Sequence, residues 1–427
     1  MMAVEFYGSQ VINMENIEAK QDLQELFTKL GTFGRQENNG MTRLSWSPEF
    51  KAAQEYLRAY MEANGMAVEL DAFGNLIGIY EGKEPELEAV CCGSHLDTVP
   101  NGGAFDGALG IVCGLSCVHR WYKAGVRPKR TVKIIAFAEE EGTLIEPGCM
   151  GSAYVMGELV GKADSQIHTV NAAKGKTLRE LVKQLEITAD PLAEPQPLRG
   201  SHFIELHIEQ GQYLEEAGLP LGIVSAIVGI KRFTIGVEGK ANHAGTTRME
   251  KRHDAVAAMA PLITYLHEQA LAAKGAYVAT VGHISVFPNV ENVVPGSAEF
   301  SVEIRAEKME IVDAVKADFM QKVAEVCEQY KVKMHIVREN NVKPVLMSAE
   351  IMELAEGNAQ KLGVAYQKMP SWAGHDAMIM AKYMPTAMLF VPSKQGISHA
   401  PEEWSDMEHI EQAVQVLSAT LWQLAEK

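Results

Sequence analysis

The chain has 427 residues, of which 47% are hydrophobic and 22% are charged, a composition typical of a globular protein too long for one ordinary core. A formal charge of −16 and the lack of a basic stripe exclude nucleic acid as an expected partner. No apolar run approaches the ~20 residues of a membrane span, and the first residues lack the pattern of a secretion signal, so we expect no membrane partner and a cytoplasmic location. The six cysteines lie mostly in apolar runs without CxxC spacing, which predicts reduced core thiols.

Strands alternate with helices in the first part of the chain. The second helix is well marked, because Ser47 is placed to cap it, Pro48 occupies its first position and Gly65 closes it. The alternation predicts an α/β fold with a mostly parallel sheet covered by helices on both faces. The predicted helices are 13–30, 48–64, 108–124 and 177–185, the predicted strands are 67–70, 75–80, 88–92 and 131–138, and a proline-containing linker is expected at 191–197.

The pattern changes near Gly229. Strand-like alternation at 232–238, 278–287, 298–304 and 333–337 is combined with helical segments at 254–273 and 309–330. This β-α-β-β-α-β order predicts a small α+β domain with an antiparallel sheet. The predicted domains are therefore 1–228, 229–341 as an insertion, and 342–427, the last with helices at 348–362 and 407–424 and a strand at 386–391.

The segment from Gly93 to Gly107, GSHLDTVPNGGAFDG, follows a predicted strand and precedes a predicted helix. His95 and Asp97 are thereby expected at the carboxyl end of a strand, where open α/β sheets place their ligands. The turn Pro-Asn-Gly-Gly returns Asp106 to the same edge. A histidine with two carboxylates suits a divalent cation, although a local hydrogen bond is the alternative interpretation.

Three consecutive carboxylates, Glu139–Glu141, follow another predicted strand. Such a run is usually a solvated turn. At a sheet edge, however, the carboxylates would repel one another unless a cation compensates them.

His207 lies in an apolar segment, where a structural histidine is the ordinary interpretation. Glu205, Glu209 and Gln210 lie close to it in the sequence. Burying so many polar groups without partners is costly, which favours a polar site.

These side chains, together with His399 near the C-terminus, form one predicted cluster. Imidazole and carboxylate without thiolate suit zinc or manganese, with cobalt as an alternative. Five ligands exceed the needs of one four-coordinate zinc that keeps a position open, so we predict two ions about 3.5–4 Å apart that share a carboxylate. The members of the cluster are His95, Asp106, Glu139–Glu141, His207 and His399.

The chain resembles the amidase branch of the M20 metallopeptidase-like family, which includes allantoate amidohydrolases, N-carbamoyl-L-amino-acid hydrolases and β-ureidopropionases. The resemblance extends from Met41 to Ala425. It rests on the motifs GSHLDTVPNGGAFDG, AEEEG, ELHIEQG, NHAGTT, PNVENVVPG, AGHDA and GISHAP. It implies a metal-dependent catalytic domain and a homodimer formed through an inserted lid and dimerisation domain.

The resemblance also implies which residue holds which ion. His95 and His207 would hold one ion, Glu141 and His399 the other, and Asp106 would bridge them. Peptidases of the wider family usually have a carboxylate where His207 stands, so this histidine favours the amidase branch.

Further roles follow from the same resemblance. Glu140 resembles the general base, which takes a proton from water and returns it to the leaving nitrogen, and Asp97 would orient His95. Glu139 would only tune the local field. His243 resembles the histidine that stabilises the oxyanion, in many members supplied by the partner subunit.

The implied substrate-binding residues are distributed along the chain. Arg305 would grip the substrate carboxylate with its guanidinium, although a surface salt bridge is the ordinary interpretation. Asn292 and Gln210 match positions that bond the carboxylate or the ureido group, and Asn292 could equally be a turn residue. Gly374 and Ser398, in the AGHDA and GISHAP motifs, complete the implied set.

These observations predict hydrolysis of the ureido C–N bond of a small ureido acid, with release of ammonia and carbon dioxide after attack by a hydroxide held between two ions. Some motifs look more like allantoate enzymes and GAFDGALG more like L-carbamoylases; we favour allantoate or a related ureido acid. The loop Thr143–Pro147 departs from the family pattern, which commonly has a small residue and then Arg-Phe. The alternatives are a dipeptidase or deacylase of the same fold and a catalytically silent binding protein.

Overall fold

The computed structural model describes residues 17–193 and 198–427. Positions 13–16 of the first predicted helix and 194–197 of the predicted linker lie outside the described residues. The chain divides into two compact units. The larger unit runs to Ser225 and resumes over Met347–Met369 and Gly374–Lys427, and the smaller unit comprises Ala226–Leu346 and Pro370–Ala373.

Eleven helices and eighteen strands occur among the described residues. The helices are α1 (Ile17–Leu30), α2 (Pro48–Ala63), α3 (Ala108–Lys123), α4 (Met150–Val155), α5 (Leu178–Val182), α6 (Tyr213–Ala217), α7 (Ala255–Ala272), α8 (Met309–Tyr330), α9 (Ala349–Leu362), α10 (Ala377–Met380) and α11 (Met407–Glu426). The strands are β1 (Ala67–Leu70), β2 (Leu76–Tyr80), β3 (Ala89–His95), β4 (Val132–Phe137), β5 (Ile145–Glu146), β6 (His168–Thr169), β7 (Gly200–Ile208), β8 (Leu221–Ile227), β9 (Gly229–Glu238), β10 (Asn242–His243), β11 (Val278–Thr280), β12 (Ile284–Phe287), β13 (Val293–Val294), β14 (Ser297–Ala306), β15 (Lys333–Val342), β16 (Val345–Leu346), β17 (Tyr366–Ser371) and β18 (Thr386–Val391). None of these helices combines the length and the apolar character needed to cross a bilayer.

The main sheet has the strand order β1-β2-β4-β3-β7-β18-β8, with β17 paired to β8 and β16 paired to the end of β8. Its four central strands, β4, β3, β7 and β18, are parallel. The pairs β1–β2, β2–β4 and β18–β8 are antiparallel. The prediction of a mostly parallel sheet is therefore wrong for the flanks, and the sheet is mixed. No helix separates β2 from β3, and two parallel strands need a long crossover connection between them. Strand β2 therefore runs opposite to β3, and hence also opposite to β4, which is parallel to β3.

Strand β3 is longer than its apolar run predicts. It continues through Gly93 and Ser94 to His95, and all seven of its residues are buried. The polar residue Ser94 is tolerated in the core because its hydroxyl donates to Glu205 Oε1 on the neighbouring strand at 2.7 Å. His95 is consequently the last residue of a rigid central strand and lies opposite Phe137 of β4.

The smaller unit contains a five-stranded antiparallel sheet in the order β11-β14-β9-β15, with β12 paired to β14. Helices α7 and α8 contribute apolar side chains to one core with the strands, including Leu262, Phe319, Phe233 and Phe300. The single strand predicted at 278–287 is two strands, interrupted at 281–283. The lid and dimerisation roles of this unit remain predictions.

Gly93 is predicted to be essential to the packing of β3 against β4. A Cβ atom at this position would lie 2.1 Å from the main-chain oxygen of Ile135, which belongs to the neighbouring strand and cannot move away cheaply. We expect Gly93→Ala to lower the stability by about 2–3 kcal/mol, the cost of severe overpacking, and to lower the thermal unfolding midpoint accordingly. Gly282→Ala, where a Cβ meets nothing within 4 Å, is the control. An unchanged midpoint for the Gly93 variant would contradict this packing.

Candidate metal centre

The five predicted ligands lie at the edge where the four central parallel strands end. His95 is the last residue of β3, and His207 is the penultimate residue of β7. Glu141 follows β4, His399 follows β18, and Asp106 lies in the loop between β3 and α3. Parallel strands present their carboxyl ends together, so residues more than three hundred positions apart meet at one edge.

Asp106 is the centre of this group. Its Oδ1 atom lies 3.4 Å from Nε2 of His95 and 3.1 Å from Nε2 of His207. Its Oδ2 atom lies 3.1 Å from Nε2 of His399, which in turn is 3.5 Å from Oε2 of Glu141. Ligand atoms within 4.8 Å of one another thus form two triads that share Asp106. The first triad is His95, Asp106 and His207, and the second triad is Asp106, Glu141 and His399. One carboxylate is shared, with a different oxygen facing each triad.

A third group, formed by Glu205, His207 and His375, shares His207 with the first triad and is buried. Glu205 already accepts hydrogen bonds from the Ser94 hydroxyl at 2.7 Å and from the main-chain N–H of Ala377 at 2.9 Å. The ring of His375 packs edge-on against that of His207, with 4.5 Å between centroids. Burial lowers the pKa of His375 well below its ordinary value, so this ring is neutral. His375 therefore packs against His207 as a neutral ring.

Two histidine rings are oriented by main-chain oxygens. Nδ1 of His95 lies 3.0 Å from the carbonyl oxygen of Asp97, and Nδ1 of His207 lies 2.9 Å from that of Ile208. A carbonyl oxygen can only accept, so the neutral rings carry their proton on Nδ1 and present the lone pair of Nε2 toward Asp106. A lone pair facing a carboxylate oxygen is favourable when a cation lies between them. This orientation is the one that metal-binding histidines adopt.

Carboxyl groups are concentrated around the centre. The buried guanidinium of Arg43 acts on Asp97, but the carboxylates are far more numerous. Burial raises the pKa of Glu140 well above its ordinary value and that of Glu141 to about 7, and Oε1 of Glu141 is buried without a hydrogen-bond partner. This excess of oxygen ligands fits divalent cations held by carboxylate and imidazole. The buried or nearly buried carboxylates are Asp97, Asp106, Glu139, Glu140, Glu141, Glu205, Asp376 and Glu403.

Asp97 and Glu140 both lie close to His95. The orienting contact to His95 comes from the main chain of Asp97, because its carboxylate Oδ1 is 3.9 Å from the ring nitrogen. That carboxylate instead accepts the main-chain N–H groups of Glu140 and Glu141 at 3.2 and 3.3 Å. Glu140 accepts from the thiol of Cys149 at Oε1, over 3.3 Å, and its Oε2 lies 3.9 Å from Nε2 of His95. Glu140 therefore faces the ligands of the first triad.

Glu139 has a larger structural role than its sequence suggests. It is fully buried, and one carboxylate oxygen accepts the main-chain N–H groups of Leu144 and Ile145 at 2.6 and 2.7 Å. Burial raises its pKa to about 8. Glu139 thereby fixes the start of the unusual loop Thr143–Pro147, a function that no local sequence pattern indicates.

Two polar side chains contact the carboxylate of Asp106, and a third contacts its main chain. Gln210, assigned to the substrate by resemblance, donates to Oδ2 of Asp106 at 2.9 Å. The hydroxyl of Ser398, assigned likewise, lies 2.9 Å from the same oxygen and 2.8 Å from Oε2 of Glu403, and its one proton can be donated to either. Sequence reasoning missed Glu403, which is buried and accepts the main-chain N–H groups of Phe105 and Asp106 at 2.9 and 3.0 Å. The only sequence signal for it is an acidic residue shortly after the GISHAP motif.

His243 and Asn292 lie in the smaller unit and are close to each other. The main-chain oxygen of Asn292 accepts from Ala244, and His243 lies on the short β10–β13 ribbon. Nδ1 of His243 accepts main-chain N–H groups from Gly245 at 3.0 Å and Thr246 at 3.3 Å, so the proton of the neutral ring is on Nε2. The side chain is exposed, so this Nε2–H is accessible to solvent.

Arg305 lies on β14 of the smaller unit and is held at two points. Its Nε donates to Glu303 at 2.7 Å and its Nη1 to the main-chain oxygen of Trp372 at 2.7 Å. Gly374, the remaining predicted residue, is exposed in the loop of the larger unit directly before His375. A role for these residues in binding substrate remains a prediction.

The affinity of the centre for metal should rise with pH. The hydrogen bond with Asp106 raises the pKa of His399 to about 9, and burial raises that of Glu141 to about 7. These protons must leave when an ion binds, so the affinity is lowest at acid pH. It should rise about tenfold per pH unit for each of the two protons below pH 7, and about tenfold per unit for the His399 proton alone between pH 7 and 9. Competition with a chelator at several pH values measures it. His399→Asn should flatten the slope, and a pH-independent affinity in the unmodified protein would contradict the assignment.

Known proteins are similar to this chain in sequence and in fold. The model of peptidase family M20/M25/M40 matches residues 91–423. The chain is 38% identical over 406 residues to the N-carbamoyl-L-amino acid amidohydrolase of Geobacillus stearothermophilus, covering 95% of this chain and 98% of the relative. It is 36% identical to the allantoate amidohydrolase of Escherichia coli, covering 95% and 98%. A solved hydantoinase/carbamoylase family amidase from Burkholderia multivorans superposes with a TM-score of 0.87 at 27% identity, covering 96% of this chain and 98% of that chain.

The fold and the matched family model define the class of protein: the chain belongs to the peptidase M20/M25/M40 family. Within that class, it is similar over nearly its whole length to amidohydrolases and to amidases of the hydantoinase/carbamoylase type. The family recognised from the sequence motifs and the predicted class of enzyme, an amidohydrolase, are both confirmed.

Proposed function

We propose that the protein hydrolyses the ureido C–N bond of allantoate or of an N-carbamoyl-L-amino acid in a metal-dependent reaction. The observation that carries this proposal is the pair of imidazole and carboxylate triads that share Asp106. Relatives with this substrate chemistry match the chain over almost its entire length, which supports the choice of substrate class. Zinc and manganese are the ions that the ligand set suits, with cobalt as an alternative.

The two triads divide the ligands between two ions. His95 and His207 would hold one ion, Glu141 and His399 the other, and Asp106 would serve both. When bound, divalent cations polarise the carbonyl group and lower the pKa of water toward ~7. Five ligands for two ions leave positions open for water and substrate.

Glu140 is proposed as the residue that transfers the proton. It lies beside the first triad and is nearly buried, with a pKa that burial raises well above the ordinary value. Such a carboxylate can accept a proton from water as the oxygen attacks the carbamoyl carbon. It then delivers that proton to the nitrogen as the C–N bond breaks. Loss of ammonia leaves a carbamic acid, and the break of its remaining C–N bond gives carbon dioxide and the amine of the substrate.

Three residues of the smaller unit, His243, Asn292 and Arg305, are proposed to bind substrate. Nε2–H of His243 would donate to the oxyanion that develops on the ureido oxygen. Arg305 would pair with the substrate carboxylate, for which a guanidinium offers parallel N–H donors. Asn292 and Gln210 would each hydrogen-bond the carboxylate or the ureido group of the substrate, and Gly374 and Ser398 are also proposed to bind substrate.

A substrate panel tests the proposal. Purified protein loaded with Zn²⁺ or Mn²⁺ is incubated with allantoate, N-carbamoyl-L-amino acids, β-ureidopropionate and simple dipeptides, and both ammonia and free amino acids are measured. We expect ammonia from at least one ureido acid and nothing from the dipeptides. Amino-acid release from dipeptides alone would refute the ureido assignment in favour of a peptidase, and no turnover of any compound by the metal-loaded protein would favour a silent binding protein.

We also propose that two copies associate through the smaller unit. Large exposed hydrophobic side chains mark interaction surfaces when they are concentrated. Eight of the thirteen such side chains among the described residues belong to this unit, which comprises little more than a quarter of the chain. They are Met249, Leu271, Val278, Ile284, Phe287, Val290, Val337 and Leu346.

The association should be sensitive to Phe287, whose side chain is 69% exposed. We expect light scattering after gel filtration to give the mass of a dimer for the unmodified protein and a larger monomer fraction for Phe287→Ser, because burial of an aromatic side chain contributes about 1.5–3 kcal/mol. The exposed Tyr122→Ser in the larger unit is the control. A monomeric unmodified protein would contradict the proposal.

A further inference from the structure

We propose that Glu403 is a positioning residue that holds the shared ligand Asp106 against the loop of His399, so that the second ion is retained only when Glu403 is in place. The inference rests on the proposed metal centre. Glu403 is a candidate ligand of neither ion, because it belongs to neither triad. Its contacts are with the two loops that carry the candidate ligands Asp106 and His399.

The first set of contacts fixes the Asp106 loop. One carboxylate oxygen of Glu403, Oε1, accepts the main-chain N–H groups of Phe105 and Asp106 at 2.9 and 3.0 Å. Two buried N–H groups that share one carboxylate oxygen are hard to satisfy in any other way, because a buried donor without an acceptor is costly. The residue that makes them is 298 positions away in the chain and only 5% exposed. The backbone of the shared ligand is therefore held by the C-terminal part of the chain.

The second set of contacts reaches the loop of His399. The other oxygen of Glu403, Oε2, lies 2.8 Å from the hydroxyl of Ser398, and that hydroxyl lies 2.9 Å from Oδ2 of Asp106. The main-chain N–H of Glu403 closes the turn by donating to the oxygen of Ala400 at 3.1 Å. Glu403 thus contacts both the main chain of Asp106 and Ser398, the residue directly before His399. The ring of His95 and that of His207 are oriented independently, by main-chain oxygens of their own strand ends.

Gly103 supplies an independent observation. A Cβ atom on Gly103 would lie 2.0 Å from both Cδ and Oε1 of Glu403, well inside the closest distance that real Cβ atoms reach. The carboxylate is therefore packed directly against the main chain of the loop, and the loop accommodates it because residue 103 has no side chain. Gly103→Ala should displace Glu403 without changing its chemistry.

The test measures metal content and affinity, which a merely structural effect on folding would not change selectively. We expect the unmodified protein to retain two ions per chain after gel filtration and Glu403→Ala to retain one, with the affinity for the second ion lowered about 10–100-fold. Gly103→Ala should show the same loss. Glu403→Gln should retain both ions, because its amide oxygen still accepts the two N–H groups and its NH2 group donates to Ser398, whose hydroxyl remains available to Asp106.

Two controls separate positioning from general damage. Glu402→Ala removes the exposed carboxylate next in the chain, and Gly357→Ala adds a methyl group where nothing lies within 4 Å. Both should bind metal as the unmodified protein does. Thermal unfolding of each metal-free variant shows whether it is folded, and Gly103→Ala and Glu403→Gln keep the test decisive if Glu403→Ala does not fold.

The possible results distinguish this inference from the proposed function. Retention of two ions by both Glu403→Ala and Gly103→Ala would overturn the positioning role while leaving the metal centre intact. Loss of the second ion from Glu403→Gln as well would assign the effect to charge and would also overturn it. An unmodified protein that binds no divalent ion would overturn the metal centre itself, and with it the proposed function.

Discussion

Glu140→Gln is expected to lower kcat about 10²–10⁴-fold, the usual contribution of a positioned general base, with both ions retained. Glutamine has nearly the same shape and can still accept from the thiol of Cys149, but it can neither take up nor return a proton. Glu140 belongs to neither triad of ligands, so the metal content should not change. Ammonia release under saturating substrate and elemental analysis of the same preparation measure the two quantities.

The neighbouring residue provides the matched control for Glu140. Glu139→Gln changes an adjacent buried carboxylate whose oxygen accepts the N–H groups of Leu144 and Ile145. Its amide oxygen can continue to accept them, so kcat should fall far less than in the Glu140 variant. Equal losses in both variants, or a Glu140 variant with unaltered kcat, would remove Glu140 from the reaction.

Asp106→Ala is expected to lose both ions and to lower turnover about 10³-fold or more, because metal ions contribute several kcal/mol of transition-state stabilisation. Each oxygen of this carboxylate faces a different triad, at 3.1 Å from Nε2 of His207 and 3.1 Å from Nε2 of His399. Its removal therefore opens both triads at once. Metal content by elemental analysis and ammonia release are again the measurements.

Single-site variants make this prediction specific. His207→Ala removes a ligand of the first triad only, and His399→Ala removes one of the second only, so each should retain one ion per chain. The expected pattern is two ions in the unmodified protein, one in each histidine variant and none in Asp106→Ala. If Asp106→Ala retained one ion as the histidine variants do, the shared role of this carboxylate would be refuted.

Local pattern was sufficient for most of the secondary structure. Helix α8, Met309–Tyr330, and strand β18, Thr386–Val391, have the predicted bounds, because apolar periodicity at 3.6 or 2 residues reports which face of an element is buried. The direction of strands on the sheet flanks was mispredicted. Strand direction depends on which strand becomes the neighbour, and no local sequence records that choice.

Chemical character singles out the candidate ligands from the sequence alone. A histidine within an apolar strand, such as His207, and an acidic run directly after a strand, such as Glu139–Glu141, conflict with ordinary burial rules. The same rules give no indication of Glu403, because an acidic residue in a polar turn is what ordinary burial preferences predict. Its importance comes from contacts with Phe105 and Asp106, almost three hundred positions earlier.

The sequence by itself determined the types of group that meet at the site, the order of strands and helices along most of the chain, and the family. The tertiary structure decided that Asp106 turns one oxygen to each triad and that Asp97 orients His95 with its main chain rather than its carboxylate. It also decided that Glu403 holds the main chain of Asp106. Sequence patterns record burial and conformational preference, whereas the distances between side chains arise only when distant strands pair and pack.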